Sequence, residues 1–199
     1  MAKAYLVHYC GKIIETTVTE SASVAENWVL NIQSGLSEQK INIVGFNCKW
    51  KPHPIESMSG RITTLQLCVD TRCLVLQISR LNNIPESIKH FFSDSNVVFV
   101  GIEVKKMVTK LQNEYGLNCT NKIDVRHLVK MHFPVSFCMK PGLKALASQL
   151  VGLHPWRSKK GHLNLDMETV VLEKEQIMFA CVDAYVSYRI GQKLLLEMQ

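Results

Sequence analysis

The 199-residue sequence has no long apolar run, no CxxC cysteine pair and no low-complexity tract. A membrane-spanning helix needs about 20 consecutive, mostly apolar residues, so no membrane span is predicted. The N-terminal stretch MAKAYLVHYCGK has too short an apolar segment for a signal peptide, and His8 interrupts it. These absences favour a soluble protein of the cytoplasm or nucleus that folds as a single domain over residues 1–199.

The seven cysteines are an odd number and are scattered along the chain, which argues against a disulfide framework. We expect them to be reduced and mostly in the core. The spacing of His127, His132 and Cys138 fits no zinc-binding pattern, so no zinc site is predicted there. Acidic residues are fewer than basic ones, 17 against 23, and the resulting net charge of +6 suits an anionic partner without identifying one.

The hydrophobic pattern changes once along the chain. A hairpin around Cys10-Gly11 and an amphipathic helix over 21–35 are followed by three β-rich runs, INIVGFNCKW, TTLQLCVD and CLVLQIS. The last two runs, within residues 62–79, are close enough in sequence to predict a second, antiparallel hairpin. Helices and strands then alternate, with one buried strand, NVVFVG, and helices beginning near residues 85, 103, 124, 141 and 173. Three consecutive strands before such an alternation predict an α/β fold with a mixed sheet flanked by helices.

Three segments, in this order, resemble the Werner-type 3′→5′ exonucleases of the DEDDy group, whose fold is ribonuclease H-like. They are IVGFNCKW, against the family pattern VGFD-x-EW; VVFVGIEVKKMVTKLQNEYGL, whose helix carries the second motif; and EQIMFACVDAYVSYRIG, against Y-x-x-x-D. The resemblance covers about residues 40–197 and leaves the N-terminal hairpin and helix, 1–39, outside the family core. The stretch ACVDAYVS is most similar to plant members.

The resemblance also identifies the catalytic positions. In the family, four carboxylates hold two Mg²⁺ or Mn²⁺ ions that stabilise the attacking and leaving oxygens of phosphodiester hydrolysis. The two carboxylates of the first motif fall on Asn47 and Lys49, the second-motif Asp falls on Met107 and the third-motif Tyr falls on Phe179; only the last Asp is retained, as Asp183. One carboxylate and one ammonium sum to zero charge, so no divalent metal and no other cofactor is predicted.

The lysine in the first motif raises the question of what balances the remaining carboxylate. A buried Asp183 without metal is costly, and an ammonium within reach restores neutrality. We therefore expect Lys49 to pair with Asp183. The alternative is that Lys49 points to solvent.

Several basic residues and one aromatic residue are candidates for contact with single-stranded nucleic acid. They are Lys49, Trp50, Lys51, Lys105, Lys106, Arg157, Lys159 and Lys160. A half-buried core position explains Trp50 equally well, and a solvated run of charge is the ordinary explanation for the lysines.

The sequence therefore favours a pseudo-exonuclease that binds single-stranded RNA or DNA, or that regulates an active relative as a homo-oligomer or hetero-oligomer. A first alternative is a weakly active, metal-dependent exonuclease that recruits other carboxylates, such as Glu103 or Asp70. A second alternative is a purely structural protein that forms oligomers.

Overall fold

The structure, a computed structural model, describes residues 3–36, 41–51, 53–55, 58–133, 141–156, 167 and 169–198. The strands are β1 (Lys3–Tyr9), β2 (Lys12–Thr19), β3 (Asn42–Trp50), β4 (Ile62–Val69), β5 (Arg72–Leu76), β6 (Val97–Gly101) and β7 (Lys122–Asp124). The α-helices are α1 (Ala22–Leu36), α2 (Glu86–Ser93), α3 (Val104–Tyr115), α4 (Val125–His132), α5 (Leu143–Val151) and α6 (Lys174–Gln192). A 3₁₀ turn, Ile78–Arg80, follows β5, and a π-helical turn, Lys193–Glu197, continues α6.

The seven strands form one mixed sheet in the order β1-β2-β5-β4-β3-β6-β7. The β1–β2, β4–β5 and β3–β4 pairs are antiparallel, whereas β2–β5, β3–β6 and β6–β7 are parallel. The predicted mixed sheet and its two hairpins are confirmed. The N-terminal hairpin, which lies outside the region of family resemblance, extends the same sheet through the parallel pairing of β2 with β5.

The two faces of the sheet carry different cores. On one face, Ile43 belongs to a cluster formed largely with α4, α5 and α6. On the other face, Val44, Phe46 and Cys48 belong to a cluster formed with α1, α2 and α3. Since neighbouring strand residues point to opposite faces, Asn47 and Lys49 lie on the α6 face of β3.

Helix α6 packs closely on β3 because residue 45 is a glycine. A Cβ atom at Gly45 would lie 2.0 Å from the carbonyl oxygen of Ala184 and 2.7 Å from the backbone nitrogen of Tyr188. Such separations are not possible for real atoms, so the two backbones can approach this far only with glycine. This contact sets the distance between β3 and the residue before Ala184, which is Asp183.

Most predicted elements are found in the structure. Helix α3 ends at Gly116, whose φ of 67° is left-handed as expected for a C-terminal cap, and Pro85 is the N-cap of α2. Strand β7 was not predicted, because three residues at the edge of a sheet, none fully buried, give no measurable periodicity. Helix α1 continues through Gly35 and ends at Leu36.

The cysteines lie where the sequence suggests, since Cys10 alone is exposed among the six described cysteines, and the buried ones are Cys48, Cys68, Cys73, Cys119 and Cys181. Cys138, considered above with His127 and His132, lies outside the described residues. No helix in the described ranges is both long enough and apolar enough to cross a membrane.

Candidate functional site

The candidate site lies at the carboxyl ends of three neighbouring parallel strands. Strands β3, β6 and β7 run in the same direction, and their last residues are Trp50, Gly101 and Asp124. Crevices outside the carboxyl ends of parallel strands are where open α/β sheets bind ligands. Asn47 and Lys49 of the predicted site lie near the end of β3, and two clefts are found at this edge.

The retained carboxylate is held by two side chains of β3. The Lys49 ammonium donates to Asp183 Oδ2 in an ion pair, and Asn47 Nδ2 donates to the same oxygen at 3.2 Å. The side chain of Asp183 is 15% exposed and that of Lys49 is 34% exposed, so the pair lies at the rim of the core. The predicted pairing of Lys49 with Asp183 is confirmed, and the alternative of a lysine that points to solvent is wrong.

The amide oxygen of Asn47 and the sulfur of Met107 both meet a single backbone group. The Cys48 N–H donates to Asn47 Oδ1 at 3.0 Å and contacts Met107 Sδ at 3.2 Å. Met107 is 2% exposed and packs in the core on the α3 face of the sheet. Asn47 Oδ1 and Met107 Sδ, the two atoms at predicted carboxylate positions, are therefore directed at the main chain.

Phe179 lies one turn before Asp183 on α6, which is the relative placement that the family's Tyr and Asp require. It is buried, at 4% exposure, and Lys144 Nζ lies 5.9 Å from its ring centroid. A phenylalanine has no hydroxyl to orient a water molecule. The predicted match of Phe179 to the family's Tyr therefore stays a prediction, and Phe179 itself offers no hydroxyl at this position.

These residues do not fit a pair of divalent metal ions. Mg²⁺ and Mn²⁺ prefer anionic oxygen ligands, and the residues at the predicted ligand positions offer one carboxylate, Asp183, whose Oδ2 already accepts from two protein donors. The neighbouring Cys48 is no substitute, because burial raises the pKa of its thiol well above the ordinary value even with Lys49 nearby. Within the described ranges, no three His, Cys, Asp or Glu side chains form a cluster able to hold a metal ion.

The two carboxylates suggested as replacements lie in different places. Asp70 is wrong as a site residue, because Gln66 of β4 pairs with Asn47 and Asp70 lies four residues further, about 13 Å along the strand direction away from the site. Glu103 lies at the site: it is exposed and lines the same cleft as Lys49. Its φ of 57° is unusual for a residue with a side chain.

A cleft of about 480 Å³ opens beside the Lys49–Asp183 pair. This Lys49 cleft is lined by Cys48, Lys49, Trp50, His53, Pro54, Ser59, Glu103 and Lys106. The Trp50 ring is partly buried against the α3 core, and the ammonium groups of Lys106 and Lys110 lie 5.6 and 5.7 Å from its centroid. These contacts favour the half-buried core interpretation of Trp50, with cations already placed over its ring.

The predicted basic residues divide into three groups. Lys49 and Lys106 line the Lys49 cleft, and Lys105 lines a second cleft next to it. Lys51 is exposed and lines neither cleft. The third group, Arg157, Lys159 and Lys160, lies outside the described residues, so its placement stays a prediction.

The second cleft contains three cationic residues that the sequence analysis missed, namely Lys110, Lys122 and Arg126. A signal existed for Lys110, because it follows Lys106 by four residues and so shares a face of α3. Lys122 lies on the unpredicted β7, and Arg126 on the helix that follows it.

Asp124 organises this second cleft. It caps α4 by accepting from the Arg126 backbone N–H at 2.9 Å, and the Arg126 guanidinium donates to both of its oxygens. It also accepts from the Glu103 N–H at 2.8 Å. Burial alone would raise the pKa of Asp124, but these hydrogen bonds and the positive charge of Arg126 hold it below the ordinary value. Both oxygens of Asp124 therefore accept hydrogen bonds from the protein, so Asp124 is not a candidate metal ligand.

Together, the mixed sheet, the helices on both faces and the polar residues at the carboxyl ends of β3, β6 and β7 define a ribonuclease H-like fold of the kind found in exonuclease domains. The chain belongs to the 3′-5′ exonuclease family, because the family model of that description matches residues 39–199.

Curated relatives carry the same description. A 3′-5′ exonuclease of Arabidopsis thaliana is 30% identical over 94% of this chain and 65% of its own length. A putative 3′-5′ exonuclease of Acanthamoeba polyphaga mimivirus is 24% identical over 92% of this chain and 46% of its own length. The chain thus spans less than two thirds of the length of either relative.

Solved structures show the same fold. The catalytic core of RRP6 from Trypanosoma brucei matches with a TM-score of 0.70 and 14% identity, over 90% of this chain and 46% of that one. The EXD2 exonuclease domain, from crystals soaked in Mn, matches with a TM-score of 0.53 and 19% identity, over 90% and 89%. At these identities the likeness concerns the fold alone.

Proposed function

We propose that this chain is a 3′-5′ exonuclease domain that has lost metal-dependent hydrolysis and has kept the binding of single-stranded RNA or DNA. The observation that carries the proposal is the Lys49 ammonium on the carboxylate of Asp183. The Lys49 ammonium and the Asn47 amide occupy the carboxylate oxygen that would otherwise ligate a metal, and the positive charge of Lys49 opposes the approach of Mg²⁺.

Support for retained binding comes from the charges at the same edge of the sheet. Lys49 and Lys106 line the Lys49 cleft, where phosphates are attracted by ammonium groups without any metal. The close approach of α6 to β3 at Gly45 keeps the backbone around the site in place without a metal. A scaffold that keeps its shape and gains positive charge suits a ligand of negative charge, such as a nucleic-acid strand.

One alternative has a specific observation in its favour. Glu103 lines the Lys49 cleft and is exposed, so it offers a second carboxylate near the site of a weakly active enzyme. Together with Asp183 it makes two of the four carboxylates that the family uses, with Lys49 still present. A role in assembly, as a homo-oligomer or with an active relative, is compatible with the same fold and is distinguished by the experiment below.

The test is a single-stranded oligonucleotide labelled at its 5′ end, incubated with the protein in Mg²⁺, in Mn²⁺ and in EDTA. We expect equal binding in all three, no shortening of the strand, and affinity that falls as salt rises, because phosphate contacts release counterions. Shortening in Mg²⁺ that stops in EDTA would establish the enzyme instead. Absence of binding at low salt would leave the assembly role.

A further inference from the structure

The second cleft is larger than the first and is bounded by α3, β7 and the start of α4. Its volume is about 830 Å³. This α3–β7 cleft is lined by Ser59, Glu103, Val104, Lys105, Lys106, Thr109, Lys110, Lys122, Asp124 and Arg126. Five of these side chains are cationic and two are acidic, so the lining has a formal charge of +3.

The two clefts form one groove along the edge of the sheet. Ser59, Glu103 and Lys106 line both of them. The groove starts at the carboxyl end of β3 and passes the ends of β6 and β7, which are successive neighbours in the sheet. With strands about 4.8 Å apart, it extends about 10 Å beyond β3.

Contacts within the protein place the cations along the wall of the α3–β7 cleft. Lys110 Nζ is 2.6 Å from Glu114 Oε1, with both side chains less than a fifth exposed, and Lys122 Nζ donates to the Cys119 carbonyl at 2.8 Å. Lys105 is exposed at the first turn of α3. Ammonium groups that are already positioned lose less side-chain freedom when they bind an anion.

The two acidic residues in the lining repel a bound anion only weakly. The charge of Asp124 is balanced by the guanidinium of Arg126, which donates to both of its oxygens. Glu103 stands where the two clefts meet, beside Lys106. The net positive charge of the α3–β7 cleft therefore comes from its four lysines.

We propose that the α3–β7 cleft binds the phosphates of the nucleotides that follow the strand end held in the Lys49 cleft. This rests on the proposed function, since it extends the same groove. Stacked nucleotides rise about 3.4 Å each, so about 10 Å of groove accommodates roughly three nucleotides. Four of the five cations are lysines, whose point charges suit phosphates in any sequence, so the binding is independent of base sequence.

The experiment measures the affinity of oligothymidylates of two, four and eight nucleotides by fluorescence anisotropy. We expect affinity to rise from two to about five nucleotides and then to level off. Lys105→Ala and Lys122→Ala should each weaken binding of the eight-nucleotide strand at least about threefold at low salt. Each should also reduce the slope of log affinity against log salt by about 0.7, the value for one phosphate contact on a single strand.

The matched control is Lys12→Ala, which removes the same charge from an exposed lysine in the hairpin at the opposite edge of the sheet. It should leave the affinity and the slope unchanged, and circular dichroism should show that all three variants fold. Binding of the two-nucleotide strand should also be unaffected by Lys105→Ala and Lys122→Ala, since that strand occupies the Lys49 cleft alone.

The possible failures are separable. If no oligonucleotide binds at any length, the proposed function fails and this extension with it. If two and eight nucleotides bind equally well, and the two variants behave like Lys12→Ala, the groove ends at the Lys49 cleft and only the extension is overturned. If polyglutamate of matched charge displaces the eight-nucleotide strand equally well, the cleft recognises acidic chains in general, and the assignment to nucleic acid is overturned.

Discussion

The contact between β3 and α6 has two parts, one made by backbone atoms at Gly45 and one made by the side chains of Asn47 and Lys49. At Gly45 the helix backbone approaches the strand so closely that no side chain fits, with the Ala184 oxygen 2.0 Å from where a Cβ would be. Two and four residues further on the same face lie Asn47 and Lys49, which the motif resemblance aligns with carboxylates, and both bind Asp183. The first part of the contact is made by backbone atoms and the second by polar side chains.

The difference separates the geometry of a site from its chemistry. The distance from β3 to α6 depends on backbone packing at Gly45, so it does not require metal ions or carboxylates to maintain it. Side chains at the rim, by contrast, can be exchanged as long as the local charge stays balanced. Lys49 balances the charge of Asp183, so the scaffold does not need a metal ion to neutralise that carboxylate.

The largest expected effect comes from adding a methyl group at the close contact. Gly45→Ala should destabilise the protein by at least about 3 kcal/mol, or prevent folding, because the new Cβ overlaps backbone atoms that cannot turn aside. The free energy of unfolding in urea measures the effect. Gly35→Ala is the control, since residue 35 lies in α1 with its nearest neighbour, Arg72 Nη2, at 3.6 Å.

In that control, alanine in a helix should stabilise by about 0.5–1 kcal/mol. The same substitution thus has opposite signs at the two glycines. If Gly45→Ala unfolds at the same urea concentration as the wild type, the contact is looser than the structure shows. Packing at Gly45 would then not set the distance between β3 and α6.

The next largest effect is expected from placing carboxylates and a tyrosine at the predicted catalytic positions, which tests whether the backbone there can still form a metal site. Asn47→Asp, Lys49→Glu, Met107→Asp and Phe179→Tyr, made together, should create a site whose stability depends on metal. Clustered carboxylates repel one another, so the variant should melt below the wild type in EDTA. Mn²⁺ at about 100 times its Kd should restore about 2.7 kcal/mol, because the metal binds only the folded state. Melting temperatures with and without Mn²⁺ provide the measurement.

The control for this experiment is the same quadruple variant with Asp183→Asn added. It lacks the native carboxylate of α6 and should lose most of the response to Mn²⁺, although the three introduced carboxylates are unchanged. If the quadruple variant folds and shows no response to Mn²⁺, the residues surrounding the site have diverged as well. Met107 makes that outcome informative, since it is only 2% exposed and contacts the Cys48 N–H.

The smallest effect concerns the ion pair itself. Lys49→Met and Asp183→Asn should each destabilise the protein, and together by less than the sum, with a coupling energy of about 1–2 kcal/mol. The value lies above that of a surface pair because Asp183 is only 15% exposed, and below that of a buried pair because Lys49 is 34% exposed. The free energies of unfolding in urea of the wild type, the two single variants and the double variant give this coupling energy as a double-mutant cycle. The control, Lys51→Met at an exposed neighbouring lysine, should leave the free energy of unfolding nearly unchanged. A coupling energy near zero between Lys49 and Asp183 would show that the ion pair does not stabilise the protein.

Much of the fold could be predicted from local pattern. The helices that end in a left-handed glycine or begin after a proline were found because backbone constraints act on a few neighbouring residues. The β4–β5 hairpin was found for the same reason, since two short strands close in sequence can only pair as neighbours. Strand β7 was missed because three residues have no period, and it exists through its pairing with β6.

The candidate site was predictable only in part. The positions compared with the family's ligands came from ordered motifs and stay a prediction, whereas the pairing of Lys49 with Asp183, expected from charge balance, is found in the structure. Asp70 was wrongly considered because sequence distance does not tell which end of a strand a turn occupies. Lys122 and Arg126 were missed because their relation to Lys105 depends on β7 lying beside β6.

The sequence alone determined the helices, the hairpins and the net charge of the residues at the predicted catalytic positions, because those properties depend on residue type and short spacing. The tertiary structure decided that Asn47 and Lys49 share one oxygen of Asp183, more than 130 residues away. It also decided that lysines from α3 and β7 line one groove with them. The physical reason is that a sheet joins strands by hydrogen bonds whose order no local pattern encodes, and only that order brings the carboxyl ends of β3, β6 and β7 to one edge.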